Sequence, residues 1–128
     1  MEMEAMKKHG AFSWNELVTT DVKAAKQFYS ALFGWSLEDN NSGEIPYTMA
    51  SAGDDQVAGI MAMPKEAQGM PPAWGAYVTV DDIDEQVNKA EKLGAKTLVE
   101  PRNIPNVGRF AVISDPQGAM LTMITYTN

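Results

Sequence analysis

Ser13-Trp14-Asn15-Glu16-Leu17-Val18-Thr19-Thr20-Asp21, set against Ala73-Trp74-Gly75-Ala76-Tyr77-Val78-Thr79-Val80-Asp81, decides how this chain folds. The two stretches match at one constant offset, which lays Trp14 over Trp74, Val18-Thr19 over Val78-Thr79, and Asp21 over Asp81. A glycine follows each Asp at the same spacing, Gly34 after Asp21 and Gly94 after Asp81. The stretch between has the apolar spacing of a helix in both copies. Two copies of one strand–helix unit predict a fold of two similar modules. Such a fold is expected to hold a ligand where the modules face each other.

Working outward, residues 12–19 read as a strand, rich in aromatic and β-branched side chains. Asp21 can cap the helix that follows, because its carboxylate accepts first-turn N–H groups that lack a partner. Ala25, Phe28, Ala31 and Leu32 form its apolar face, and Gly34 ends it. Strands are expected at 35–38, 47–51 and 56–63, with turns at 39–43 and 53–55. In the second copy Asp81 is the expected cap, and Ile83, Val87 and Ala90 form the stripe. Strands are then expected at 96–99, 109–114 and 119–126, with a long loop at 101–108. Asp115-Pro116-Gln117-Gly118 reads as a tight turn. The order is β-α-β-β-β stated twice, an α+β fold. The expected organisation is a flexible segment at 1–11 and a single domain at 12–126. Its modules would be 12–63 and 74–126, joined by a proline-bearing linker at 64–73.

A chain of 128 residues is long enough to bury a core in one domain. Its net charge of −7 argues against nucleic-acid binding, because a phosphate lattice would repel it, and gives no reason to expect a membrane surface as partner. It has no cysteine, which excludes thiolate catalysis, disulfides and iron–sulfur clusters. No apolar run reaches the roughly 18 residues that cross a bilayer, and the segment Met1 to Gly10 lacks a secretory core. The expected location is cytoplasmic. Nucleotide fingerprints and phosphate loops are absent from the sequence.

Val18-Thr19-Thr20-Asp21, Ala24-Ala25-Lys26-Gln27-Phe28-Tyr29 and Leu32-Phe33-Gly34-Trp35 form one ordered set of motifs. Val80-Asp81-Asp82-Ile83, Leu93-Gly94-Ala95 and the Asp115-Pro116-Gln117-Gly118 turn form a second. In this order the chain resembles the vicinal oxygen chelate superfamily: glyoxalase I, bleomycin-resistance proteins and extradiol dioxygenases. The resemblance covers residues 12–126. It implies paired βαβββ modules whose sheets curl around a shared cleft, often completed by a homodimer. It also implies, in the metal-bearing members, His, Gln or Glu ligands at four stations. Here Trp14 and Asn15 stand at the first station, Gly59 and Met61 near the second, Trp74 and Gly75 at the third, and Thr122 at the last. These side chains do not suit a hard divalent ion. No metal and no other cofactor is expected. The single histidine, His9, is expected to be a solvated residue of the leading segment.

Glu16 is the candidate catalytic residue, a carboxylate inside a β-prone strand. It either faces the cleft as a base or acceptor, or it is a solvated strand-end charge paired with Arg109 or a lysine. Trp14 and Trp74, matched by the repeat, either flank a planar ligand or anchor the core under the helices. Tyr47, Tyr77 and Phe110 are candidate cavity-lining rings, and Met61 a soft apolar wall. Thr79 and Thr122 are candidate hydrogen-bonding groups. Three classes of function stay open. The leading one is metal-independent binding of a small aromatic or apolar organic molecule. The others are a lyase, isomerase or hydroxylase-like enzyme of the same fold using Glu16, and an interaction module without a ligand.

Overall fold

The computed structural model describes residues 7–40, 46–64 and 69–127. The start of the leading segment, part of the turn expected at 39–43 and the centre of the linker expected at 64–73 lie outside the described residues. The elements are β1 (Phe12–Thr19), α1 (Val22–Phe33), β2 (Ser36–Asn40), β3 (Tyr47–Ala52) and β4 (Asp55–Ala62) in the first half. The second half holds β5 (Ala73–Thr79), α2 (Ile83–Lys92), β6 (Lys96–Ile104), β7 (Gly108–Ser114) and β8 (Met120–Tyr126). This is the α+β fold with the βαβββ order stated twice. By its contacts the chain divides into two compact units, Asn15–Gly75 and the remainder.

In the Asn15–Gly75 unit the strands lie in the order β2-β3-β4-β1. β1 runs parallel to β4, with Glu16 opposite Gly59, Leu17 opposite Ile60 and Val18 opposite Met61. β3 runs antiparallel to β4, with Met49 opposite Gly59, Thr48 opposite Ile60 and Tyr47 opposite Met61. Because strand side chains alternate, these registers sort the residues onto two faces. Leu17, Thr48, Ala50 and Ile60 are buried on the side of α1. On that side Lys26 of α1 donates to Asp39 of β2 at 2.8 Å, and Asp39 also accepts from the Thr48 hydroxyl at 2.8 Å. Glu16, Val18, Tyr47, Met49 and Met61, all half-buried, share the opposite face with Gly59. Asp21 caps α1 by accepting from the Ala24 N–H at 3.0 Å, and Gly34 closes it at a φ of 73°.

In the other unit the order is β5-β8-β7-β6. Its core is Val80, Ile83, Val87, Ala111, Ile113 and Met123, so α2 covers the Ala111 and Met123 side of the strands. Burying Ile83 and Val87 removes two aliphatic side chains from water, each worth about 1.5–3 kcal/mol. Tyr77 opposite Thr122, Thr122 opposite Val112, and Ile124 opposite both Thr79 and Phe110 occupy the other face. The described residues that precede β1, 7–11, belong to this unit too. Gly10 donates to Thr79, Thr79 donates back to Ala11, and the Asp81 N–H donates to His9 Nδ1 at 3.0 Å.

Three expectations change. First, Asp82 rather than Asp81 caps α2, accepting from the Glu85 N–H at 3.2 Å. The cap equivalent to Asp21 therefore falls one position beyond the residue that the sequence repeat assigns to it. A slip of a single position turns every strand side chain to the opposite face. The structural counterpart of Trp14 is Gly75, and that of Glu16 is Tyr77. Second, β6 runs on through Pro101 to Ile104, where a loop was expected. The proline is tolerated because β6 is an edge strand and its pairing with β7 shifts register between Val99 and Arg102. Third, Arg109, one of the partners considered for Glu16, is engaged by α2 of its own unit. It forms a forked pair with Asp84 of α2, at 2.9 and 3.0 Å.

Candidate functional site

Glu16 lies on β1 and Tyr47 on β3, with β4 between them. The Tyr47 phenol nevertheless donates to the Glu16 carboxylate at 2.9 Å. It reaches across because the residue beneath it is Gly59, directly opposite Glu16. A Cβ on Gly59 would overlap the phenol oxygen and the end of the ring. A glycine in mid-strand costs sheet stability, and close approach of another group is a common reason for one. Here the approaching group is the Tyr47 ring. The three residues act as one device: the glycine opens the space, the ring fills it, and the hydroxyl orients the carboxylate. Val18, Met49 and Met61 complete this face, an apolar, adaptable surround for a single acidic group.

Each remaining candidate has a definite place. Met61 lies beside Tyr47 on the Glu16 face. Trp14, half-buried, shares by alternation the side of β1 that carries Glu16. Tyr77, Thr79, Phe110 and Thr122 come together on the strand face opposite α2, with Tyr77 and Thr79 buried. Trp74 is on the α1 side of its unit. Its indole N–H donates to the Tyr29 hydroxyl at 3.1 Å, and its ring meets Tyr29 edge-on with centroids 5.4 Å apart. Tyr29 stacks on Trp35 at 5.9 Å, and Phe33 leans on Trp35 at 5.2 Å. These rings line a hollow of about 390 Å³. Trp14 and Trp74 are therefore not a symmetric pair.

Sequence reasoning missed Gly59 as a site residue. Its signal was present: a glycine within Val57-Ala58-Gly59-Ile60-Met61, a run otherwise suited to a buried strand. The carboxylates nearest the helices do ordinary work. The Lys26 ammonium, then the Thr48 hydroxyl, hold the Asp39 carboxyl below its usual value. The Arg109 guanidinium does the same for Asp84.

The resemblance gives four positions of this fold to the ligands of metal-bearing members. Trp14, Gly59, Gly75 and Thr122, which stand there, carry no imidazole or carboxylate, and Glu16 accepts from Tyr47. Among the described residues, no three His, Asp or Glu side chains gather where they would hold an ion. No helix among them is long and apolar enough to cross a membrane.

Residues 11–123 match the profile of the Glyoxalase/Bleomycin resistance protein/Dioxygenase superfamily. The protein CFP32 of Mycobacterium tuberculosis, provisionally named a glyoxylase, is 42% identical over 115 residues, covering 88% of this chain and 44% of that protein. The anthracycline biosynthesis protein DnrV of Streptomyces peucetius is 31% identical over 123 residues, covering 86% of this chain and 45% of its own. The chain thus spans less than half the length of these relatives. Among solved structures, methylmalonyl-CoA epimerase from Mycobacterium tuberculosis superposes with a TM-score of 0.65, covering 93% of this chain and 89% of that one. At 17% identity, that likeness speaks for the fold alone.

Proposed function

Because the chain belongs to the glyoxalase/bleomycin resistance protein/dioxygenase superfamily, we propose that it binds a small organic molecule against the strand face that carries Glu16 and Tyr47, without a resident divalent metal. The observation that carries this reading is the Tyr47–Glu16 hydrogen bond laid over Gly59. An acidic acceptor held in one orientation, amid Val18, Met49 and Met61, suits a largely apolar ligand that presents one hydrogen-bond donor. Ligand sites commonly have this make-up, an apolar lining with few placed polar groups. An aromatic ligand agrees with the kinship to a protein of anthracycline biosynthesis.

The test is a thermal-shift screen of the protein against aromatic and aliphatic metabolites, with and without zinc, nickel or manganese. A ligand at 100 times its Kd raises apparent stability by about 2.7 kcal/mol. The expected hits are independent of metal and are weakened by Glu16→Gln and Tyr47→Phe. Hits that vanish with chelator would overturn the metal-free part of the reading.

A second reading is favoured by the same carboxylate–phenol pair and by the enzyme name of the relative CFP32. In it Glu16 takes a proton from the bound molecule, and Tyr47 positions the carboxylate to do so. Proton transfer by a positioned side chain contributes typically about 10²–10⁴-fold in rate. Deuterium exchange into a bound hit, lost in Glu16→Gln, separates this enzyme from a simple binder.

A further inference from the structure

Counted from the caps Asp21 and Asp82, Val22 and Lys26 of α1 stand where Ile83 and Val87 stand in α2. On the strands, Thr48 follows Tyr47 as Ala111 follows Phe110. In the second half, Ile83, Val87 and Ala111 belong to one packed apolar core. In the first half, the same three positions hold an aliphatic side chain, an ammonium and a hydroxyl. With Asp39, Pro46 and Ala62 they line a hollow of about 270 Å³. A partly exposed ion pair adds little to stability, and apolar packing often serves as well or better at such a place. Stability therefore does not account for Lys26 and Asp39 here.

The bonds around the pair leave groups to spare. Lys26 and Thr48 both donate to Oδ1 of Asp39, each at 2.8 Å. Among the described residues Oδ2 accepts no bond, and the ammonium uses one of its three donors. A spare acceptor thus lies beside spare donors, in a hollow whose other walls are Val22, Pro46 and Ala62. A carboxylate ligand would meet Asp39, which is ionised at neutral pH because the Lys26 ammonium holds its carboxyl below the usual value. An amine would meet the Lys26 ammonium. A neutral group with an acceptor and a donor side by side meets neither repulsion. We propose that this hollow binds a small primary carboxamide carried on an apolar ring. Its carbonyl oxygen accepts from Lys26 Nζ, its N–H donates to Asp39 Oδ2, and its ring lies against Val22, Pro46 and Ala62. The hollow falls just below the roughly 300–1,000 Å³ of sites for drug-sized ligands, which suits a one-ring molecule. Thr48 and Tyr47 alternate along β3, so this site lies on the face opposite Glu16 and is independent of the Glu16 site.

Benzamide, benzoate and benzylamine, titrated into the whole chain and followed by its backbone amide NMR spectrum, test the proposal. One-ring ligands bind in roughly the millimolar range, so each probe is taken to about 20 mM. Benzamide should shift the signals of Val22, Lys26, Thr48 and Ala62, and should bind about tenfold more tightly than either ion. Lys26→Met should weaken it about tenfold. Ala62→Leu, which fills the hollow and leaves the ion pair in place, should abolish it. A dispersed spectrum shows each variant folded, and the preference among the three probes is read on the unaltered chain whatever the variants do. Equal affinity for the three probes, no shifts at the highest concentration, or binding undiminished in Ala62→Leu overturns the proposal. Benzamide binding that is lost in Glu16→Gln and kept in Lys26→Met belongs to the Glu16 face and overturns it too.

Discussion

The two modules place different residues at the same three stations. In the first, Glu16, Gly59 and Tyr47 form a hydrogen-bonded pair across an intervening strand. In the second, Tyr77, Thr122 and Phe110 occupy the corresponding positions. A phenol stands in place of the acid, a residue with a side chain in place of the glycine, and a ring without a hydroxyl in place of the donor ring. Of these two sets of three residues, only the first includes a carboxylate. The helices differ in the same spirit. α2 is anchored by buried Ile83 and Val87, has Asp84 and Glu85 in its first turn and has Lys89 and Lys92 near its last. Those charges oppose the helix dipole and stabilise the helix on its own. α1 has neither the buried anchors nor the end charges. Its Phe28, Leu32 and Phe33 stay exposed.

The largest expected effect tests the anchoring difference. Ile83→Ala removes a side chain only 2% exposed and should cost about 3 kcal/mol of unfolding free energy. Val22→Ala, at the matched position of half-buried α1, should cost about 1 kcal/mol or less. Urea titrations of both variants measure the contrast, and equal losses would break it.

Next comes the cross-strand device. Gly59→Ala should displace the Tyr47 ring, and Tyr47→Phe should remove the bond to Glu16 at a cost of about 1 kcal/mol. The double variant should lose less than the sum, with a coupling of about 1 kcal/mol, because a displaced ring has no bond left to lose. Additive losses would mean that Gly59 does not hold the ring in place. A smaller effect is expected for the reciprocal change. Phe110→Tyr should alter stability by less than about 0.5 kcal/mol and confer no ligand binding, because Thr122 occupies the station where Gly59 leaves room.

The smallest effect is a pH dependence common to both units. Asp39 and Asp84 have carboxyls held below their usual value near 3.8 by hydrogen bonds from Lys26 and Arg109. A lowered folded-state value means the contribution is present above the ordinary carboxylate range and is lost as pH falls through the folded-state value. Lys26→Met and Arg109→Met should each flatten the acid limb of the stability curve below about pH 4 and leave its neutral plateau nearly level. Equilibrium unfolding at stepped pH records this. Both pairs are exposed, so the slopes should also diminish in high salt.

Much of the fold is legible in the chain because its signals are local. Val-Thr runs, aspartate caps and closing glycines each act within a few residues of themselves. They place β1, α1, β4 and the Asp115–Gly118 turn with little error, and Gly118 indeed donates back to Asp115 at 2.9 Å. The edge strand β6 was shortened at Pro101 because the chain alone does not reveal that this strand is an edge. The site is legible as a set of residue types, and less so as an arrangement. Glu16, Tyr47 and Met61 stood out as candidates, but Gly59 did not, because its meaning depends on the Tyr47 ring of the neighbouring strand. Trp74 stood out for a likeness to Trp14 that the strand registers do not support.

The sequence by itself determined the order of the elements and their duplication. Those follow from residue type and short-range hydrogen bonding. Only the tertiary structure decided the register, which matches Asp21 with Asp82 as helix caps and pairs Glu16 with Gly59 and Tyr77 with Thr122. Strand side chains alternate along the chain, so the smallest slip exchanges the face under a helix for the face opposite it. That choice is made by which face buries its side chains against the helix. Packing of that kind joins residues far apart in the chain, as Tyr47 joins Glu16 across 31 positions.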